Sequence, residues 1–161
     1  FAWVSRITAN CMWAPQLNET MENQMVTNQG WEAVYDYFKL GFEATGGSKA
    51  KFVLEFLNVS LPVSELMLTV MKSYGEKWSA SKIHLEILNR RNGGEWKRVR
   101  ITNPDVVGVH DKNTSEQYSS VSVFRKGPVG VTSDLRVGIE LVEGTTFKIM
   151  GMALCSSIHT Y

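Results

Sequence analysis

Strict alternation of apolar and polar side chains is the feature that most constrains how this chain can fold. In the segment 82–88, Ile83, Leu85 and Ile87 alternate with polar residues. Successive side chains of a β-strand point to opposite faces, so this pattern predicts a strand with one buried face. The same period recurs in the segments 31–38, 50–57, 65–74, 96–101, 118–125, 135–142 and 147–154. An all-β fold is therefore expected.

Residues that favour tight turns separate these segments. They include Asn92-Gly93-Gly94 and Asn103-Pro104, which supply a positive or a fixed φ where strands reverse. Eight or nine short strands with this spacing predict an antiparallel two-sheet β-sandwich of the jelly-roll type.

The 161 residues are predicted to form one domain, because no linker or repeat divides them. The β-sandwich is expected to span 11–155, with an N-terminal strand or arm at 1–10 and a C-terminal tail at 156–161. Within the sandwich, the polar segment 14–30 fits a short helix or an ordered loop equally well.

The charge is nearly balanced, with 17 basic and 16 acidic side chains. Only the short runs 90–91 and 97–100 are notably basic, so we expect neither nucleic-acid binding nor electrostatic steering toward a charged polymer. The most apolar stretch, 66–71, is far shorter than the roughly 20 residues that span a bilayer, so no membrane span is predicted.

Several features favour a secreted protein. The sequence opens on Phe1 with no signal peptide, which is typical of a mature chain or an excised domain. Three Asn-X-Ser/Thr motifs begin at Asn18, Asn58 and Asn113, in segments where a glycan would be solvated. N-glycosylation is expected at one or more of them; the alternative is that all three are ordinary turn asparagines.

The two cysteines, Cys11 and Cys155, lie near opposite ends of the chain. A disulfide between them would close nearly the whole domain and stabilise it by about 4–5 kcal/mol in the chain-entropy description. Two buried free thiols are the alternative. A zinc site is not predicted, because it needs four ligands at short spacings.

Three stretches resemble the galactose-binding-like jelly-roll modules, which include discoidin-type domains and many carbohydrate-binding modules of secreted proteins. In 41–56 a glycine turn feeds a strand of core aromatics, 66–78 is similar to a strand followed by a Lys-Ser-Tyr loop, and 147–155 resembles a closing strand with a terminal cysteine. The resemblance implies a carbohydrate-binding β-sandwich in which Cys11 is the partner of that cysteine.

A sugar site in an all-β domain combines an aromatic platform with polar groups that bind hydroxyls. Trp78 is the strongest candidate, because it follows Tyr74 in a predicted loop with no alternation to bury it. Trp96 with Arg98 would form a polar and aromatic patch on a strand, and Tyr118 is a further candidate. For each of these aromatics the alternative is a core or hinge position.

Two other tryptophans are interpreted differently. Trp31 shares an alternating face with Tyr35 and Tyr37, which predicts a core position. Trp13 is a weaker candidate for ligand contact.

Few residues suggest catalysis. His110 adjoins Asp111, but no serine lies in a Gly-X-Ser-X-Gly turn. Glu43, Glu55 and Glu86 fit solvent-facing strand positions better than a glycosidase carboxylate pair. We expect no enzyme activity, no metal site and no cofactor.

Two functions fit these observations. The first is an extracellular domain that binds glycans through loop aromatics. The second is a structural or adhesive subunit of a filament or surface layer, in which the apolar segment 1–10 adds as a strand to a neighbouring copy.

Overall fold

The computed structural model describes residues 11–13, 21–36 and 39–156. The predicted arm 1–10, the tail beyond residue 156 and the glycosylation motif at Asn18 lie outside the described residues.

The described residues form twelve strands, one short α-helix and one 3₁₀ helix. In chain order they are β1 (Cys11–Trp13), α1 (Met21–Gln24), β2 (Met25–Gln29), β3 (Trp31–Asp36), β4 (Lys39–Ala44), β5 (Lys51–Phe56), β6 (Glu65–Lys72), the 3₁₀ helix (Glu76–Trp78), β7 (Lys82–Arg90), β8 (Lys97–Val99), β9 (Asp105–Val107), β10 (Glu116–Val123), β11 (Asp134–Glu143) and β12 (Lys148–Cys155).

These strands build two antiparallel sheets of six strands each. The first sheet has the order β10-β6-β12-β4-β3, with β1 beside β12. The second has the order β2-β5-β11-β7-β8, with β9 beside β7. The predicted all-β antiparallel sandwich is confirmed, but with twelve strands instead of eight or nine.

The additional strands are those whose sequences lack clean alternation. β2 lies within the segment expected to be a helix or loop; it follows the single turn α1, and only Met25, at its start, packs against the core. β4 contains Gly41, where a Cβ would lie only 2.8 Å from Lys148 Cγ. Gly41 interrupts the apolar pattern of β4, because the Lys148 side chain crosses this position and leaves no room for a Cβ.

The core lies between the inner faces of the two sheets, and Trp31 is part of it at 3% exposure, as predicted. Its ring stacks on Phe42 with centroids 5.8 Å apart and meets Phe52 edge-on at 5.1 Å. Tyr35 was expected on the same buried face but is 67% exposed, because β3 is an edge strand that pairs only with β4. Tyr37 lies outside the described residues.

A disulfide joins Cys11 to Cys155, so the alternative of free thiols is excluded. The two residues face each other in the pairing of β1 with β12. Trp13, two residues further on, is partly buried against the core, with its ring 5.0 Å from that of Phe56. The bridge thus ties the first described strand to the last.

Among the described residues, no helix has the length and apolar character that a membrane crossing requires.

Candidate functional site

Trp78, the strongest sequence candidate, is buried. It ends the 3₁₀ helix and is only 7% exposed. The helix is fixed in place because Thr145 Oγ1 donates a hydrogen bond to the Lys77 carbonyl at 3.0 Å and Lys77 Nζ contacts Glu43 Oε1 at 2.9 Å. The expectation of an exposed loop tryptophan is therefore wrong: long-range contacts hold this connection against the end of the sandwich.

Tyr74 and Tyr118 differ in their exposure to solvent. Tyr74 is 48% exposed in the connection after β6. Tyr118, on β10, is packed against the core, with Lys72 Nζ 4.9 Å from its ring centroid. Its hydroxyl donates a hydrogen bond to Glu116 Oε2 at 3.0 Å. The pKa of Glu116 lies below its usual value, mainly because of the hydrogen bond from Lys112 and secondly because of this one. Tyr118 is thus occupied by contacts within the protein.

Trp96 takes a different position, in the connection between β7 and β8. Its ring is partly buried and packs against two guanidinium groups, with Arg90 Cζ 4.5 Å and Arg136 Cζ 4.3 Å from the centroid. Arg90 belongs to β7 and Arg136 to the neighbouring strand β11. The outer face of the second sheet therefore supports the tryptophan.

Both arginines are held by carboxylates. Arg90 donates from Nε and Nη2 to Asp134 Oδ2 at 3.0 and 2.8 Å, and Arg136 Nε donates to Glu55 Oε2 at 2.7 Å. Asp134 Oδ1 also accepts a hydrogen bond from the Asn58 backbone N–H at 3.0 Å. The pKa of Asp134 lies below its usual value, mainly because of this bond and secondly because of the bond from Arg90. These ion pairs and hydrogen bonds fix the two arginines that contact Trp96.

Arg98 lies on the same outer face of the second sheet. It pairs with Leu88, which pairs on its other side with Arg136, so the three side chains form one row across the sheet. Arg98 Nη2 donates to Glu86 Oε2 at 2.7 Å. We call the outer surface formed by Trp96, Arg98, Glu86, Leu88 and Gly138 the Trp96 face.

The centre of the Trp96 face carries a glycine. Gly138 lies between Val53 and Glu86 in the pairing of β5, β11 and β7. Gly138 is buried, and a Cβ at this position would contact Lys51 Cε at 3.6 Å, so neighbouring side chains cover the glycine. A groove of about 230 Å³ begins at Glu86 and Arg98 and runs toward Pro104. The Trp96 face thus offers an aromatic ring and hydrogen-bonding groups beside an open groove.

Trp96 and Arg98 are candidates in the sequence, but the residues that hold the Trp96 ring do not stand out there. Arg90 and Arg136 are far apart in the chain and meet only because β7 and β11 are neighbours. An outward position for Arg136 follows from the alternation of the segment 135–142, but its contact with Trp96 depends on strand order, which alternation does not encode.

The carboxylates considered for catalysis are held in other ways. Glu55 and Glu86 pair with arginines, whereas Glu43 is buried at 6% exposure instead of facing solvent. The carboxylate of Glu43 can remain buried because Lys77 Nζ and Thr146 Oγ1 both donate hydrogen bonds to its Oε1, at 2.9 and 3.1 Å. Among the residues that the structure describes, no three His, Cys, Asp or Glu side chains are grouped to hold a metal ion.

Two of the glycosylation motifs lie within the described chain, and both asparagines are exposed. Asn58 has a positive φ of 50° in the turn after β5, and Asn113 lies in the connection before β10.

The sequence matches no protein-family model and no curated protein. Solved structures do match. The xylan-binding domain CBM22-1 of Paenibacillus barcinonensis Xyn10C aligns at a TM-score of 0.56 with 9% identity, covering 92% of this chain and 97% of that one. The mannan-recognising carbohydrate-binding module TmCBM27 aligns at 0.57 with 9% identity, covering 91% and 96%.

A third match is the C-terminal CBM6 of the laminarinase LamC from Zobellia galactanivorans. It aligns at a TM-score of 0.51 with 8% identity, covering 84% of this chain and 95% of that one. At such identities the likeness concerns the fold alone. This chain therefore has the β-sandwich fold seen in carbohydrate-binding modules, in agreement with the galactose-binding-like jelly-roll resemblance.

Proposed function

We propose that this chain is a non-catalytic carbohydrate-binding domain and that the Trp96 face holds the glycan. The observation that carries the proposal is the partly exposed Trp96 ring, fixed against Arg90 and Arg136 on an open sheet surface. The fold likeness supports it, since the similar structures include a xylan-binding domain and a mannan-recognising module.

The chemistry of the Trp96 face suits a sugar. One side of a pyranose ring presents C–H groups, which pack on an aromatic face, while its hydroxyls need donors and acceptors. Arg98 supplies donors and Glu86 supplies acceptors on the same surface. Because the two arginines against the tryptophan are already paired with carboxylates, binding requires little reordering of the face.

A glycan array followed by calorimetry on the best oligosaccharide tests the proposal. Trp96→Ala is expected to weaken binding more than tenfold, because it removes the platform. Tyr35→Ala removes an exposed aromatic from the other sheet and is expected to bind like the wild type. Absence of glycan binding, or equal affinity of Trp96→Ala and the wild type, would refute the assignment.

We further propose that the protein is extracellular and N-glycosylated at Asn58 or Asn113. The disulfide supports an oxidising compartment, and the exposure of both asparagines supports access for the glycosylation machinery. Intact mass of the native protein, before and after glycosidase treatment and reduction, is expected to reveal glycan mass. Free thiols together with an unmodified mass would contradict both parts.

The alternative function, self-association in a filament, rests on the segment 1–10, which lies outside the described residues. No contact within the described part of the chain favours it, so carbohydrate binding is the function we retain.

A further inference from the structure

Exposed cations gather along one edge of the second sheet, around β8. We call the five side chains of Arg91, Lys97, Arg100, Arg125 and Lys126 the basic edge; all are exposed. Within the described part of the chain none of them forms an ion pair. Setting these five aside leaves 12 of the 17 basic side chains against 16 acidic ones. The balanced net charge therefore conceals a local excess of positive charge.

Two adjoining grooves follow the basic edge. One, of about 220 Å³, is lined by Arg91, Lys97, Arg100 and Lys126. The other is the groove that leaves the Trp96 face; it shares Arg100 with the first and reaches Arg125. The Arg125 N–H donates to the Arg100 carbonyl at 2.8 Å, which places these two residues side by side.

The basic edge differs from the arginines of the Trp96 face in its electrostatics. There, Arg90, Arg98 and Arg136 each have a carboxylate partner at 2.7–2.8 Å. A neutral sugar needs only such neutralised groups, whereas unpaired cations along a groove attract anionic ligands and can pair with them directly. The two kinds of surface meet where Trp96 precedes Lys97 in the chain.

We infer that the glycan is acidic: its sugar ring contacts Trp96 while carboxylate or sulfate groups contact the basic edge. This inference rests on the proposed function. A nucleic acid would meet the same charge, but single-stranded binding also requires aromatic rings on which bases stack. The first groove is lined by no aromatic side chain and the second only by the imidazole of His84, which offers no succession of rings for stacked bases.

A pair of polysaccharides that share one backbone provides the test. Polygalacturonate and its fully methyl-esterified form differ in charge, and a carrageenan with its desulfated form gives the sulfate counterpart. We expect at least tenfold tighter binding of one anionic form at about 50 mM salt, and a loss of that preference at about 500 mM, where the Debye length falls to roughly 4 Å. The two pairs distinguish carboxylate from sulfate recognition.

Matched charge variants locate the contact. The triple variant Arg91→Gln, Arg100→Gln, Lys126→Gln is expected to bind the anionic form about tenfold more weakly and the neutral form unchanged. A control triple, Lys49→Gln, Lys72→Gln, Lys112→Gln, lowers the net charge equally outside the basic edge and is expected to bind like the wild type.

The outcomes separate this inference from the proposed function. Equal affinity for charged and uncharged forms, with binding lost in Trp96→Ala, would refute acidic recognition and leave the carbohydrate-binding function intact. Binding of no polysaccharide would refute both. Tighter binding of a single-stranded oligonucleotide than of either anionic polysaccharide would also overturn the inference.

Discussion

Trp78 and Trp96 flank β7 and have similar neighbours in the sequence, yet the structure buries the first far more than the second. Each lies in a connection beside a lysine, and each has a cation near its ring. Trp78 is 7% exposed, whereas Trp96 keeps part of its surface open on the outer face of the second sheet. Local sequence therefore does not determine whether a loop tryptophan faces solvent.

What separates them is the path of each connection. The segment before β7 packs against the turn between β11 and β12, where a Cβ at Gly144 would lie 2.9 Å from the Ser79 carbonyl oxygen. The connection after β7 folds onto the outer face of the sheet, where Trp96 meets Arg90 and Arg136. Trp78 is therefore buried at the end of the sandwich, whereas Trp96 keeps part of its ring exposed on the outer face of the second sheet.

The largest effect is expected for Trp78→Ala. Removing a buried tryptophan side chain costs about 3–5 kcal/mol of unfolding free energy. Chemical denaturation measures this loss, and the folded fraction is expected to bind glycan normally. Trp78→Phe, which leaves a smaller cavity, provides the control. A loss below about 1 kcal/mol would show that Trp78 is not a core residue.

Next in size is Asp134→Asn, which weakens the support for Trp96. The variant loses the charged partner of Arg90 and weakens the bond from the Asn58 N–H, so we expect a cost of about 1–3 kcal/mol at pH 7. Asp111→Asn changes an exposed carboxylate with no ion pair among the described residues and is expected to have little effect.

The lowered pKa of Asp134 also predicts how the stability difference between Asp134→Asn and the wild type depends on pH. Because the folded pKa of Asp134 lies below its unfolded value, the carboxylate contributes its full stability above the unfolded pKa of about 3.9. That contribution is lost as the pH falls through the folded pKa. Denaturation curves between about pH 7 and 2 should therefore converge for variant and wild type at the acidic end. A stability difference independent of pH would contradict the assignment.

A smaller stability effect is expected for Trp96→Ala. Two exposed cation–π contacts account for about 1–2 kcal/mol together. The midpoint of thermal unfolding should therefore fall less for Trp96→Ala than for Trp78→Ala, although the glycan affinity of Trp96→Ala falls more than tenfold. Stability losses of the same size in both variants would remove the distinction between the two tryptophans.

The smallest change is expected for Trp96→Phe, which keeps an aromatic platform of reduced area. Affinity should fall only a few-fold, and unfolding free energy by less than about 1 kcal/mol. Calorimetry beside Trp96→Ala measures the contrast. A loss of affinity as large as that of the alanine variant would indicate that the ring acts through something other than its face.

The fold was predictable from the sequence wherever a strand had one buried face. β5, β7 and β11 follow the alternation of their segments, and Trp31 lies in the core as its pattern indicates. β2 was not predictable, because four of its five residues are exposed and it therefore shows no alternation. Short strands such as β9, at three residues, are defined by their hydrogen-bonded neighbour instead of by their own sequence.

The candidate site was predictable only in part. Trp96 and Arg98 are close in the chain, so their proximity could be anticipated. Arg136 and Asp134 reach the site through strand pairing, and the burial of Trp78 depends on long-range contacts such as that of its neighbour Lys77 with Thr145. The basic edge likewise assembles cations from two separate segments that total charge does not reveal.

The indole N–H signals of the five tryptophans in an ¹⁵N-correlated NMR spectrum test the central claim most directly. Assigned by single Trp→Phe variants, they can be followed during titration with the best-binding oligosaccharide. We predict that the Trp96 signal shifts progressively and saturates while the Trp78 signal stays in place. A saturable shift of Trp78 with an unchanged Trp96 signal would contradict the account.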